Sequence, residues 1–253
     1  SEIKPIILEF YEHRFFSIEV IEKVIKRDPN INRYYSSINE DNIVVKQTIL
    51  SMILKKAVLA NNNDNKSYKV IKLLLENGAD VNCNTIYVHN NKYLCNEASI
   101  FIEALNKDSF NKQLLDLLYE YGANLVKVIE KSFAEMPIQS LIQRHIQDDE
   151  LALQYLEYCW DKHSFDLEYK NIYDENLFLA ASMACLPKTL KWLANKGVDI
   201  NVVGGTENLN ALHQAITCYA YVPTLQRSKA VATLIDLGLD IEKVSSKQMT
   251  PLM

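Results

Sequence analysis

Apolar and polar positions repeat one pattern several times along the chain. In residues 70–82 (VIKLLLENGADVN), apolar positions three and four residues apart mark one face of a helix, and a glycine and a short polar tail follow. Residues 193–201 and 234–242 carry the same pattern closely. Weaker copies lie at residues 117–124, 160–167 and 24–32. This pattern predicts a succession of short helices, each followed by a stop.

The stop position allows the copies to be aligned. It falls at residues 28, 78, 122, 164, 197 and 238, so successive copies are 50, 44, 42, 33 and 41 residues apart. Glycine, which occupies four of these positions, accepts the left-handed conformation that ends a helix. Asp28 tolerates that conformation, whereas Ser164 suits it less. We therefore expect the fourth copy to be the most distorted.

A second mark precedes the helices. Thr250-Pro251-Leu252 and residues 211–215 (ALHQA) are similar to the Thr-Pro-Leu-His-x-Ala box of the ankyrin repeat, whose period is 33 residues. Proline suits the first helical position, where the missing N–H has no partner within the helix. Weaker forms of the box lie at residues 4–6, 136–138, 48–50, 99–100 and 176–177. The chain thus resembles the ankyrin-repeat family over almost its whole length.

The resemblance implies an all-α fold, an ankyrin-repeat solenoid of about six irregular helix-turn-helix units with hairpin-like fingers. We expect a single domain over residues 1–253, with repeats at about 1–46, 47–97, 98–135, 136–174, 175–209 and 210–249, and the start of a seventh at 250–253. Because the seventh repeat only begins, we expect the chain to be the N-terminal part of a longer protein. We expect a monomer, with end-to-end association through the uncapped C-terminal end as an alternative.

Composition and charge narrow the classes of function. The chain has 27 Lys and Arg against 32 Asp and Glu, a net charge of −5, which does not suit a protein that coats nucleic-acid phosphates. The longest apolar run, residues 177–186, is about half of the roughly 20 residues that span a bilayer, so we expect no membrane insertion. The N-terminus does not resemble a signal peptide, and the 5 scattered cysteines fit a reducing compartment. We expect a cytoplasmic protein.

No residue pattern points to catalysis, a metal ion or a cofactor, and we expect none of the three. The 5 histidines lack metal-binding spacing, and the resemblance implies that His213 forms a hydrogen bond between repeats. Gly204-Gly205 lacks the Lys-Ser/Thr of a phosphate loop and suits a turn. A Cys–His pair that meets in space would make the chain an enzyme, which we keep as a remote alternative.

The resemblance also implies that a partner protein binds the concave face formed by the fingers and the first helices. Aromatic finger residues are natural anchors, because they bury a large area at a small entropy cost. The alternative is that these side chains pack the fingers against one another. The longest finger spans residues 83–97. The candidate partner-binding residues are Tyr34, Tyr35, Tyr87, His89, Tyr93, Tyr169, Tyr173, Val202 and Val203.

Two asparagines are candidates for modification. Asn82 follows Leu74 by eight residues, and Asn201 follows Leu193 by the same distance. Both segments are similar to the ankyrin sequence that host asparaginyl hydroxylase modifies. We therefore expect Asn82 and Asn201 to be possible hydroxylation sites.

Two kinds of ankyrin protein fit these observations. The irregular repeats and the frequent Asn, Ile, Lys and Tyr resemble host-targeting ankyrin effectors of intracellular bacteria, or poxviral ankyrin proteins, and residues 179–184 favour the former. As an effector, the chain would be an interaction scaffold that binds a host protein in the host cytosol. The alternative is a module that targets substrates for a catalytic or ubiquitin-ligase-recruiting domain beyond Met253.

Overall fold

The chain falls into two compact units. We call residues 1–106 and 111–125 the first half, and residues 107–110 and 126–253 the second half. The division lies inside the third predicted repeat, and the expected single domain stays a prediction. The computed structural model describes residues 5–13, 17–39, 43–59, 65–89, 92–99 (backbone only), 104, 109–124, 137–144, 148–218 and 222–252.

The first half combines helix pairs with strands. Helix α1 packs against α2 and α3, while α4 packs against α2 and α3. Its core consists of aliphatic side chains on the facing sides of these helices, with Ile21, Ile53 and Leu74 fully buried. The elements are α1 (Ile6–Glu12), α2 (Ile18–Ile25), β1 (Tyr35–Ile38), β2 (Val44–Gln47), α3 (Ile49–Leu59), α4 (Asn65–Glu76), β3 (Asn84–His89), β4 (Lys92–Ser99) and α5 (Lys112–Glu120).

The second half consists of two rows of helices. Helix α8 packs between α6 and α10 in one row, and α9 packs between α7 and α11 in the other. Every residue from Leu177 to Ser182 in α8 is buried, as expected for a helix that is apolar on all sides. The elements are α6 (Pro137–Arg144), α7 (Asp149–Lys162), α8 (Leu177–Met183), α9 (Pro187–Asn195), β5 (Val203–Gly204), β6 (Leu209–Asn210), α10 (Ala211–Ile216) and α11 (Thr224–Asp236).

Helices α4, α5, α9 and α11 end in the same way. Each is followed by a glycine in the left-handed conformation, with φ angles of 87° at Gly78, 85° at Gly122, 86° at Gly197 and 90° at Gly238. The N–H after each glycine donates to the carbonyl five residues earlier, as Ala79 does to Leu74 at 3.0 Å. This is the hydrogen bond of the Schellman motif. The predicted glycine stops are confirmed.

The expectation of a left-handed stop is wrong at Asp28 and Ser164. Neither residue has a positive φ. Helix α2 ends at Ile25, and the next residue, Lys26, has a right-handed conformation. Helix α7 ends at Lys162, and the next residue, His163, is extended with φ −138°. Side chains with a Cβ avoid the left-handed region, so these two turns form by other routes.

The fingers form more sheet than an all-α fold implies. Strands β1 to β4 form one antiparallel sheet in sequence order. Its two hairpins are β1–β2 and β3–β4, and the latter confirms the finger predicted at residues 83–97. The sheet is continuous because β2 also pairs with β3, for example Val45 with Tyr87. In the second half, β5 and β6 pair over two residues each. The fold is therefore mostly helical with a small sheet.

The helix pairs fall within the predicted repeats. Repeats 1 and 2 contain α1–α2 and α3–α4, and repeats 4, 5 and 6 contain α6–α7, α8–α9 and α10–α11. Repeat 3 contributes α5 as its second helix, and its first helix would fall largely outside the described residues. The number of six repeats stays a prediction.

Candidate functional site

The four-stranded sheet of the first half has two unlike faces. Successive strand residues point to opposite sides, and paired residues share a side. Tyr35, Val45 and Thr85 share one side of the sheet, which we call the inner sheet face. Val45 is 8% exposed and Thr85 is 1% exposed. Side-chain hydrogen bonds join this face to α3, including Ser51 Oγ to Thr85 Oγ1 at 2.9 Å. The inner sheet face is therefore part of the core.

The opposite side is partly exposed and largely apolar. We call it the outer sheet face, formed by residues 36, 38, 44, 46, 86 and 88, with Tyr34 continuing the alternation before β1. Ile38 pairs with Val44, and Val44 pairs with Val88, so three β-branched residues form a row across three strands. Ile38 is 60% exposed and Tyr34 is 41% exposed. Val44 and Val88 are half-buried, so this row is a partly exposed apolar surface on a hydrogen-bonded backbone.

The predicted tyrosines of the first half lie on both sides of the sheet. Tyr34 is exposed, whereas Tyr35 and Tyr87 are half-buried on the inner sheet face. Partial burial raises the pKa of the Tyr35 phenol above its usual value, and the nearby Asp28 carboxylate raises it further. The side chains of His89 and Tyr93 lie outside the described residues, although the backbone of Tyr93 pairs with Val88. Tyr34 is thus the predicted anchor that best fits the outer sheet face.

The predicted residues of the second half are less uniform. Tyr173 is 39% exposed, while Tyr169 and Val203 are half-buried. Val202 is only 4% exposed, and its role as a binding residue stays a prediction. The Val202 side chain points inward just before the two-residue strand β5. Gly204, two residues later on the same side, is also buried.

The two candidate modification sites differ in their contacts. Asn82 donates from Nδ2 to the Gly122 carbonyl at 2.9 Å and accepts from the Asn124 N–H at 2.8 Å. It therefore bridges α4 to the turn after α5. Asn201 occupies the equivalent position after Gly197 and is exposed. Among the described residues, no hydrogen-bond partner of the Asn201 side chain is found, and only its backbone N–H bonds to Asp199.

His213 joins two segments by hydrogen bonds. Its Nδ1 lies 2.6 Å from Asn210 Oδ1, and its Nε2 lies 2.9 Å from the Met249 carbonyl. The ring is 5% exposed. His213 therefore ties α10 to the chain after α11, as the resemblance implied.

The acidic cluster at residues 148–150 caps two helices. Asp148 accepts from the N–H groups of Glu150 and Leu151 at the start of α7. Asp149 reaches the next pair and accepts from the N–H groups of Lys188 and Thr189, at 2.6 and 3.0 Å, at the start of α9. Because the free N–H groups of a helix start attract a carboxylate, Asp149 links α7 to α9.

The buried thiols are poorly suited to nucleophilic chemistry. Burial raises the pKa of the Cys159 thiol well above its usual range, and burial together with Cys218 raises that of Cys185 to about 12. A thiol needs the opposite shift to act as a nucleophile near neutral pH. Among the described residues, no His, Cys, Asp and Glu group could hold a metal ion. No described helix has the length and apolar character needed to cross a membrane.

The sequence analysis missed Ile38, Val44 and Val88. Residues 34–38 (YYSSI) and 43–47 (IVVKQ) are rich in aromatic and β-branched residues, which favour strands. What this composition did not reveal is that β2 and β3 pair with each other, which aligns these three residues in one row. Pairing between successive fingers is set by how the repeats pack, and the local pattern does not contain it.

Comparison with known proteins agrees with this architecture. Residues 54–86 match the family model described as "Ankyrin repeat". The chain is also similar to the human ASB11 ankyrin repeat domain, with a TM-score of 0.60 and 17% sequence identity over 99% of this chain and 90% of that chain. No curated protein sequence matches it. Ankyrin repeats generally mediate protein–protein interaction and are typically non-catalytic. The matching repeat and the structural likeness together identify the fold of this chain as the ankyrin-repeat fold.

Proposed function

We propose that this chain is a non-catalytic scaffold that binds a partner protein through its fingers, with the outer sheet face as the main contact of the first half. The row formed by the exposed Ile38 and the half-buried Val44 and Val88 carries this proposal. Apolar side chains held on a sheet lose little freedom on binding, so their burial contributes to affinity at a small entropy cost. Tyr34 lies on the same side and adds an aromatic anchor.

The sheet supports this role by its rigidity. Three strand pairings hold the backbone of the outer sheet face. Polar contacts beneath it, including Gln47 Nε2 to Ser51 Oγ at 3.3 Å, fix the sheet to the start of α3. Tyr35 and Tyr87 belong to this supporting layer. In the second half, the exposed Tyr173 and the half-buried Val203 are the candidate binding residues. His89, Tyr93 and Tyr169 stay candidates for the same partner.

Affinity capture from host-cell lysate followed by a binding measurement on the captured protein tests the proposal. The variant Tyr34→Asp with Ile38→Asp places two charges on the outer sheet face without touching the core. We expect it to bind the captured partner about thirtyfold more weakly, since two hot-spot contacts are lost. Circular dichroism should report an unchanged helix content.

A matched control changes two exposed apolar residues elsewhere. Leu225 and Ile235 on α11 are 68% and 49% exposed. The variant Leu225→Asp with Ile235→Asp should retain the affinity of the unaltered chain. Equal affinity for the outer-face variant and the control would contradict the outer sheet face as the binding surface.

The identity of the partner as a host protein, and the cellular compartment, are inferred from the resemblance to ankyrin effectors alone. We propose that the partner is a host protein and that the chain acts in the host cytosol as an effector of an intracellular bacterium. The amino-acid usage and the irregular repeats support this. Capture of the same partner from host lysate and from an unrelated bacterial lysate, with equal yield, would count against a host role.

Hydroxylation at Asn82 and Asn201 is a further part of this proposal. Since the Asn82 side chain makes two hydrogen bonds between helices and the exposed Asn201 side chain makes none with described residues, we expect Asn201 to be modified more readily. Peptide mass spectrometry of the chain produced in host cells would locate an added oxygen. Its absence at both residues would dismiss these sites.

A further inference from the structure

An exposed lysine of the second half lies over two tryptophans. Trp160 is near the end of α7, Trp192 is near the end of α9, and Lys196 directly follows α9. Lys196 Nζ is 5.2 Å from the ring centre of Trp160 and 5.1 Å from that of Trp192, within the reach of a cation–π interaction. The two indole rings meet edge to face, with centroids 6.1 Å apart, and Phe165 packs against Trp160 at 5.6 Å. We call Trp160, Phe165, Trp192 and Lys196 the tryptophan–lysine patch.

The tryptophan–lysine patch is accessible from the surface. Lys196 is exposed, and the three aromatic rings are half-buried. Neither indole N–H has an acceptor among the described residues, and neither indole nitrogen is buried without a partner. Both N–H groups therefore donate to solvent. The patch presents aromatic surface together with hydrogen-bond donors that a bound molecule can use.

The positive charge of the patch has no counter-charge in the part of the chain that the structure describes. Neither Lys196 nor the exposed Lys191 of α9 forms an ion pair there, and α9 contains no acidic residue. Glu157 and Asp161, the exposed acids of α7 on either side of Trp160 in the sequence, pair with neither lysine. The sign of this charge is opposite to the net charge of −5 of the whole chain.

Lys196 differs from an ordinary surface lysine in being held. A surface ion pair usually contributes little to affinity, because two long side chains lose their freedom when they pair. The two indole rings already restrict the Lys196 ammonium, so less freedom is lost when an anion binds it. The position above the rings is occupied by the chain's own cation. What the patch lacks is therefore an anion, and a carboxylate supplies both the charge and the acceptors.

We propose that the tryptophan–lysine patch binds an acidic side chain of the partner protein that is flanked by apolar residues. The inference rests on the proposed function, because it names the chemistry by which the second half would recognise that partner. The carboxylate would accept hydrogen bonds from the Lys196 ammonium and from an indole N–H. Its apolar neighbours would pack on the exposed parts of the tryptophan rings, which are common anchors in protein interfaces.

Nuclear magnetic resonance titration of the full chain tests this with two capped tripeptides, acetyl-Leu-Glu-Leu-amide and acetyl-Leu-Gln-Leu-amide. Trp160 and Trp192 are the only tryptophans of the chain, so their two indole N–H signals report on the patch. We expect both signals to shift with the glutamate peptide, at a dissociation constant about fivefold lower than with the glutamine peptide. Equal affinity for the two peptides, or indole signals that stay unchanged up to about 10 mM peptide, would overturn the proposal.

The variant K196Q removes the charge of the patch and keeps the length of the side chain. We expect it to lose the preference for the glutamate peptide. K196R should keep the preference, since a guanidinium also stacks on aromatic rings. The matched control K191Q removes an exposed charge of the same helix and should keep it as well. A preference retained in K196Q, or lost to the same extent in K191Q, would contradict the site.

The peptide titration needs no natural partner, so the two proposals can fail separately. A preference for the glutamate peptide without loss of partner binding in the outer-face variant would contradict the outer sheet face alone. Loss of partner binding in that variant with equal affinity for both peptides would contradict the tryptophan–lysine patch alone.

Discussion

The two halves of the chain hold neighbouring helix pairs together by different means. In the first half, a continuous four-stranded sheet joins two fingers, and Asn32 and Asn82 bridge successive turns. In the second half, the fingers contribute a strand pair of two residues each, and helix α8, which is buried from Leu177 to Ser182, lies between α6 and α10. Both halves have a buried apolar core, and the first half adds to it a hydrogen-bonded edge that joins two fingers.

The difference shows which positions of a repeat are constrained. The side chains of α8 are packed on every side, so each methylene group removed there leaves a cavity. The asparagine bridges lie at the surface, where water competes with each hydrogen bond. Substitutions should therefore cost more in α8 than at the bridges, which can be measured directly.

The largest effect is expected in α8. Phe178 is fully buried, and Phe178→Ala should lower the free energy of unfolding by about 3–5 kcal/mol, because it removes a large apolar side chain and leaves a cavity. Denaturant unfolding followed by circular dichroism measures the loss. The control Leu225→Ala, at a position that is 68% exposed, should change stability by less than about 0.5 kcal/mol. Similar losses in the two variants would show that α8 is not the packing centre.

A smaller loss is expected for the cap that links α7 to α9. Asp149→Ala should lower the free energy of unfolding by about 1–2 kcal/mol, since the N–H groups of Lys188 and Thr189 lose their acceptor. Denaturant unfolding is again the measurement. Asp161→Ala, which removes an exposed carboxylate near the end of α7, is the control. A loss of the same size for Asp161→Ala would mean that overall charge, and not the cap, explains the effect.

Loss of the asparagine bridge should lower the free energy of unfolding by about 1 kcal/mol. Asn82→Ala removes hydrogen bonds of 2.9 and 2.8 Å to Gly122 and Asn124, each of which is partly replaced by water. Asn201→Ala is a control within the same motif, because that side chain makes no hydrogen bond with described residues. We expect its stability to change by a few tenths of a kcal/mol. Equal losses would contradict the distinction between bridged and free asparagines.

The smallest effect concerns alkaline stability. Because burial raises the pKa of the Cys185 thiol to about 12, the folded chain holds its proton where the unfolded thiol, with a pKa near 8.5, gives it up. This contribution to stability is complete below about pH 8.5 and is lost as pH rises towards 12. The unfolding free energy of Cys185→Ser should therefore fall less steeply between pH 8 and pH 10.5. Parallel pH profiles for the two chains would contradict the shift.

The sequence predicted those features that local patterns determine. Gly78, Gly122, Gly197 and Gly238 marked the helix ends, since few other residues adopt their conformation. The alternation within residues 83–97 marked a hairpin. Both kinds of signal are contained in a few neighbouring residues.

The features that the sequence did not predict depend on contacts between repeats. Pairing of β2 with β3 requires two fingers to lie side by side, and no local pattern contains their spacing. Val202 lies in a predicted finger, yet its side chain packs inward. The register of so short a strand pair is set by the packing around it and cannot be read from the local sequence. The side-chain N–H groups of Gln139 and Gln143 meet Glu175 only after the chain has folded.

The hydrogen bonds of the Asn32 and Asn82 side chains go to backbone groups of the next turn. Each donates to a glycine carbonyl and accepts from the N–H two residues later. Every residue type except proline can supply that N–H. A repeat ending in this asparagine can thus be followed by a unit of almost any composition, so duplication, exchange or insertion of whole units leaves the joint intact. The joint is generic, and the partner-specific residues are free to diversify around it.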